Sequence, residues 1–236
     1  MPIRRSHSLA LVPAALALTL LTACSGDGKA DDKKSSAPLP DASATLQQAS
    51  QAMASLKSVG FTLSTEDKPQ IMVKSGDMKL LKSGDAQGTI QVEQSGQAVE
   101  MKIVSVGDSI YLDAGTGGWR KVPKALASTM YDPSAVLDPN RGIAKLLTSV
   151  QGSKAEATEK VDGKEASRVA VKLPKDAVGG LIPGVNEDVD GKLWISTSDH
   201  RLLKVKGNLP GADGGKGAVI INFTEFDKPY KISAPK

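Results

Sequence analysis

Ala42, Leu46, Ala49, Met53 and Leu56 recur at alternating spacings of four and three, with Gln47, Gln48, Gln51 and Ser55 between them. That period predicts a helix with one narrow apolar stripe, capped at its start by Asp41 and lying on a core rather than inside it. Beyond Gly60 the period changes to two, and runs of five to ten residues are separated by Gly-containing turns, the pattern of an antiparallel meander. "GTIQVEQ" and "AVEMKIVSV" flank Ser95-Gly96, "SIYLD" and "GWRKV" flank Ala114 to Gly117, and "AEATEKV" and "EASRVAVKL" flank Asp162-Gly163-Lys164. Asp-Gly between alternating runs is a strong hairpin signal, because both central positions of a type I′ turn need positive φ. Further strands are predicted at "VDGKLWIST", "RLLKVKGNL" and "AVIINFTEF".

The alternation is one-sided. Ile90 and Val92, then Val99, Met101 and Ile103, then Val169, Val171 and Leu173 share a face, while Gln91, Glu93, Glu100, Lys102, Arg168 and Lys172 point the other way. A sheet built like this has a wet face and a face that something apolar must cover. Helices supply part of the cover: "LDPNRGIAKLLTSVQG" reads as a helix capped by Asp138, with Pro139 at its first position, Ile143, Leu146, Leu147 and Val150 inward, and Gly152 past its end. Shorter helical pieces are predicted from Pro123 and Pro174. Gly88, Gly142, Gly179 and Gly180 stand where bulges, kinks or a mouth would be useful, and Gly179, Gly180, Leu181 and Ile182 form a candidate entrance loop. Residues 66–84 do not phase cleanly, so Met72, Leu80 and Leu81 fit either a strand or a lid. The expected class is α+β.

Ahead of this domain, Arg4 and Arg5 precede an apolar run from Leu9 to Leu21. The run is shorter than the roughly 20 residues of a membrane span and suits a secretory signal core. Leu21-Thr22-Ala23-Cys24 resembles the bacterial lipobox, and Cys24 is the single cysteine in 236 residues, so it has no disulfide partner in its own chain. The chain is therefore expected to divide into a signal peptide (1–23), a tether (24–40) that begins at lipidated Cys24, and one folded domain (41–236). Diacylglycerol on Cys24 would anchor the protein, because each buried methylene contributes about 0.8 kcal/mol and two chains make the attachment stable. The Gly, Ser, Pro and mixed charges of residues 25–40 describe a flexible spacer.

Charge and chemistry narrow the function classes. Without Arg4 and Arg5 the thirty basic residues fall to 28, against 26 acidic ones, and the two Trp, three Tyr and three Phe do not interleave with basic clusters. Nucleic-acid binding is poorly supported. His7 leaves with the signal peptide, His200 sits in a turn, and adjacent Ser198, Asp199 and His200 cannot form a spatial triad, so no catalytic residue is expected. With one His and no free Cys, no metal site or cofactor is expected either. "NEDVDG" (186–191) has a calcium-like composition but lacks the distal Glu of an EF-hand. Asn222-Phe223-Thr224 matches a glycosylation sequon inside an apparent strand, and reads as chance.

Several stretches together resemble the LppX/LprAFG lipoproteins of mycobacteria and other actinobacteria: the lipobox at Cys24, the tether ending "PLPD", "SLKSVGFTL", "GDSIYL" followed by "GGWRKVP", "YDPSAVLDPNRGIAKLL", "KAEATEKVDGKEASRV" and "LWISTSDHRLLKV". The resemblance runs nearly full length. It implies a half-barrel, one strongly curved antiparallel sheet with helices on its concave face enclosing an apolar cavity. It also implies a monomer on the extracytoplasmic face of the cell membrane that binds acylated lipids or glycolipids and carries them across the envelope, in some members beside a membrane transporter, with no enzymatic step. The residues expected to line the cavity are Ile90, Val92, Val99, Met101, Ile103, Leu146, Leu147, Val169 and Val171.

On the residues alone, an inward apolar face reads the same whether side chains or a ligand fill it. Two readings stay open: a lipid carrier with a real cavity, and a solidly packed envelope scaffold that engages a membrane transporter without carrying lipid.

Overall fold

The computed structural model describes residues 38–236 apart from 95, 116, 128–132, 183–184 and 213. The expectations for the signal peptide, Cys24 and most of the tether lie outside the described residues.

Helix α1 (Ala42–Ala54) forms as its period predicts, with the Asp41 carboxylate accepting the Ala44 N–H at 2.7 Å. Ala42, Leu46, Ala49, Met53 and Leu56 are all buried. The strands follow as β1 (Ser58–Glu66), β2 (Val73–Leu81), β3 (Ala86–Gln94), β4 (Gln97–Val106), β5 (Ser109–Asp113) and β6 (Arg120–Pro123). After a helical stretch come β7 (Gln151–Val161), β8 (Lys164–Leu173), β9 (Val189–Ser196), β10 (Leu202–Pro210) and β11 (Lys216–Phe226). The β7–β8 turn takes the predicted form, with Asp162 at φ 48 and Gly163 at φ 80.

Among the described residues these strands make one 11-stranded antiparallel sheet in the order β6-β5-β4-β3-β2-β1-β11-β10-β9-β8-β7. It is two meanders joined where β1 pairs with β11, unclosed and curved, with β6 and β7 at its edges. Gly88 shows how the backbones crowd as the sheet bends: a Cβ there would lie 2.1 Å from the Asp77 carbonyl oxygen on β2. The register through Gly88 is unbroken, so its glycine serves close approach rather than a bulge.

Two sequence expectations shift. The third helix, α3 (Ile143–Ser149), starts at an uncapped Gly142 rather than at Asp138. Asp138 instead closes the preceding turn, accepting the Asn140 N–H at 2.8 Å and pairing with Arg141 at 3.1 Å, and its backbone oxygen accepts the Gly142 N–H. The helix starts where that turn releases the chain. The unphased segment resolves into strand: Leu80 and Leu81 belong to β2, while Met72 precedes it and is 71% exposed. The short helices α2 (Lys124–Ala127) and α4 (Lys175–Gly179) form after Pro123 and Pro174, and a 3₁₀ turn spans Pro133–Ala135.

The helices do not cover the sheet evenly. Helix α1 packs on α3, where the Ser50 hydroxyl donates to the Ala144 carbonyl at 2.7 Å, and it reaches β7 and β9. Helix α3 also touches α4, whereas α2 lies against β5 and β6. One core joins the stripe of α1, the inward residues of α3 and the inner face of β8–β11, and it includes Val136 and Leu137 as well as Leu80 of β2 and Ala86 of β3.

Candidate functional site

Strand pairing fixes which side chains share a face, since partners across an antiparallel ladder point the same way. Val169, Leu193, Val205, Ile221, Leu63, Gly76, Ile90 and Met101 pair in succession from β8 to β4. A parallel row runs through Phe223, Phe61, Met78, Gly88, Ile103 and Leu112. Val73, Val92 and Val99 make a third. The inner face is thus one apolar surface from end to end.

Burial divides that surface in two. Val169 and Leu193 are fully enclosed and Val205 is 7% exposed, but Ile221, Leu63, Ile90 and Met101 further along the row are only half-buried. Of the residues expected to line a cavity, Leu146, Leu147, Val169 and Val171 lie in the main core, and Leu147 and Val169 retain no accessible surface. Ile90, Val92, Val99, Met101 and Ile103 stand together on β3 and β4, half-buried and outside that core. They form an apolar floor beside the helix layer. Gly76 leaves a notch in it, where a Cβ would approach Ile90 Cγ2 at 3.1 Å.

The expected entrance loop sits at the other end of this arrangement. Leu181 and Ile182 close the end of α4, their N–H groups donating to the Val178 carbonyl, and both pack partly buried against the core. A Cβ on Gly180 would meet nothing within 4 Å, while one on Gly179 would meet the Val185 carbonyl at 3.0 Å. A group that sequence reasoning missed is Ser105, on the inner face opposite Ala86 and Ile110: its hydroxyl is buried and has no hydrogen-bond partner among the described residues.

The outer face of the C-terminal meander is tightly paired. Arg168 bridges Glu156 at 2.9 Å and Glu159 at 2.7 Å, Lys192 joins Glu156 at 2.9 Å, and the Trp194 indole donates to Glu159. The Lys192 ammonium, then Arg168, hold the Glu156 carboxyl below its ordinary value of 4.5; the Trp194 indole, then Arg168, do the same for Glu159, with partial burial opposing both. At the β9–β10 turn the Ser196 hydroxyl accepts from the Ser198 and Asp199 N–H groups, and His200 takes φ 56, so Ser198-Asp199-His200 is a turn built from its own backbone. Among the described residues no cluster of His, Cys, Asp or Glu could hold a metal ion.

A single curved antiparallel sheet, with helices packed on part of its inner face and an apolar floor beside them, defines a half-barrel architecture. The chain belongs to the LppX/LprAFG lipoprotein family, whose family model, described as LppX_LprAFG lipoprotein, matches residues 41–232. It is 28% identical to the lipoarabinomannan carrier protein LprG of Mycobacteroides abscessus, over 98% of this chain and 99% of that one. To the protein of the same name in Mycolicibacterium hassiacum it is 31% identical, over 93% of each. The crystal structure of LprF from Mycobacterium bovis superposes with a TM-score of 0.71 at 21% identity, covering 85% of this chain and 99% of that one. LppX from Mycobacterium tuberculosis gives 0.61 at 20% identity, covering 81% and 97%.

Proposed function

We propose that this protein is a non-enzymatic, lipid-anchored carrier of acylated lipids or glycolipids, held by diacylglycerol on Cys24 at the extracytoplasmic face of the cell membrane and moving its cargo across the envelope. The observation that carries this reading is the apolar floor of Ile90, Val92, Val99, Met101 and Ile103, which continues the core row yet, among the described residues, stays half-buried and outside the packed core. Every methylene an acyl chain lays on such a surface leaves water with a gain of about 0.8 kcal/mol, so a chain of ordinary length binds without charged anchors. From the floor the chain would pass toward Leu146, Leu147, Val169 and Val171 beneath the helices, with residues 179–182 as the opening on that side. Family membership and relatives named as lipoarabinomannan carriers support the same reading. A membrane transporter is the partner such a carrier would load from or deliver to.

One observation favours the alternative. Leu147 and Val169 are enclosed on every side, as they would be in a solid scaffold that engages a transporter without cargo. A lipid bearing a photoreactive diazirine on its acyl chain separates the two: labelling mapped to β3, β4 and α3 supports carriage, and labelling confined to exposed loops contradicts it.

A further inference from the structure

The outer face of the N-terminal meander carries a polar row beyond the Ser75–Gln91 hydrogen bond and the Lys74–Glu93 ion pair. Asp77, Thr89, Lys102 and Asp113 pair in succession across β2, β3, β4 and β5, alternating in position with the apolar floor and therefore on the opposite face. Lys79, Gln87 and Val104 make the neighbouring row. Over these rows lie two concavities, of about 310 Å³ and about 380 Å³. Trp119 walls the first, Glu100 and Asp113 line the second, and Lys102 borders both, so the two lie side by side across the strands as a shallow groove.

Unlike the Glu156, Glu159, Arg168 and Lys192 network, this groove is sparsely paired: the Asp113 carboxylate accepts the Gly115 N–H at 2.8 Å and the Lys79 ammonium lies over the Tyr230 ring. The side chains of Asp77, Gln87, Thr89, Glu100 and Lys102 make no hydrogen bond or ion pair with any described residue. Together they offer acceptors (Asp, Glu), donors (Lys) and groups that do both (Thr, Gln), beside one indole. The signs are mixed, which disfavours a polyanion or a polycation. All four strands beneath are already paired on both sides, which leaves no edge for an added peptide strand. What fits is a neutral ligand dense in hydroxyl groups with an apolar C–H face for the indole. Adjacent strands are about 4.8 Å apart, close to the length of one sugar ring, so a linear chain crossing the sheet meets one polar residue of the row per ring.

The geometry points to a glycan-binding groove on the outer face of β2–β5, with Trp119 as the stacking wall and Asp77, Thr89 and Lys102 as the hydroxyl-binding row. It stands independently of lipid carriage on the inner face. Its ligand is a neutral saccharide chain, either free or as the head group of an acylated lipid.

The test is two-dimensional NMR of the full chain titrated with neutral linear oligosaccharides (maltopentaose, cellopentaose and mannopentaose), with dextran sulfate as the anionic control. The chain has two Trp, so the Trp119 indole resonance is read against that of Trp194, which is committed to Glu159. The groove predicts movement at Trp119, Thr89 and Lys102 with at least one neutral probe and none at Trp194. Trp119→Ala should weaken binding about five- to tenfold. An acylated form of the active probe that moves Trp119, Thr89 and Lys102 at lower concentration than the free one makes the ligand a lipid head group; equal affinity makes it a free glycan, and both support the groove. No movement with any neutral probe while both indoles report a folded chain, or a response to dextran sulfate alone, overturns it.

Discussion

Ile90 and Val169 lie on one cross-strand row of one face, yet Val169 is fully enclosed and Ile90 only half-buried. Val169 shares one packed core with the inward residues of α1, α3 and α4, whereas Ile90, among the described residues, lies outside it. Truncation should therefore cost stability at one end of the inner face and little at the other. Leu147→Ala, in the packed half, is expected to lose about 2–5 kcal/mol, and Met101→Ala, on the floor, about 1 kcal/mol. Denaturant unfolding of the two variants compares them directly; equal losses would mean the floor is ordinary core.

Ser105 carries a buried hydroxyl that has no hydrogen-bond partner among the described residues. An orphaned polar group costs free energy in the folded state, so Ser105→Ala should be neutral or stabilise the protein by about 1 kcal/mol. A clear loss of stability in the same unfolding experiment would mean that the hydroxyl is satisfied.

Acid should loosen the edge strand β7. Glu156 and Glu159 on that strand have folded-state pKa values below their ordinary 4.5, so the stability they contribute is fully present above that pH and is lost as pH falls through the lowered values. The unfolding midpoint is expected to drop below pH 4.5, and Arg168→Met should flatten that part of the profile. Hydrogen exchange of β7 amides across the same range reads it locally; an unchanged dependence in the variant would show that these pairs contribute nothing.

Much of this fold can be read from particular residues. Asp162-Gly163 announces its hairpin because only two positive-φ positions fit between the alternating runs, and the spacing of Leu46, Ala49 and Met53 announces α1. β2 is obscure for a physical reason: a register shift between Val73 and Ser75, followed by an inward Gly76, breaks its two-residue period. The start of α3 is misread because Asp138 has the chemistry of a cap but spends it on the turn before Gly142. The floor itself is legible as alternation. Its separation from the core is not, since Ile90 and Val169 sit in equivalent patterns and only the helix placement tells them apart. The outer groove is hidden for a similar reason, as Thr89 and Lys102 in sequence are the ordinary wet side of a strand.

The central claim is that the inner-face floor holds acyl chains. Native mass spectrometry of the protein purified from a lipid-rich host, before and after organic extraction, tests it most directly. The account predicts an adduct of acylated-lipid mass that extraction removes and that is absent from folded Ile90→Trp, whose indole would fill the notch over Gly76. A folded protein that carries no adduct from any of several hosts, or an adduct that persists undiminished in Ile90→Trp, would contradict it.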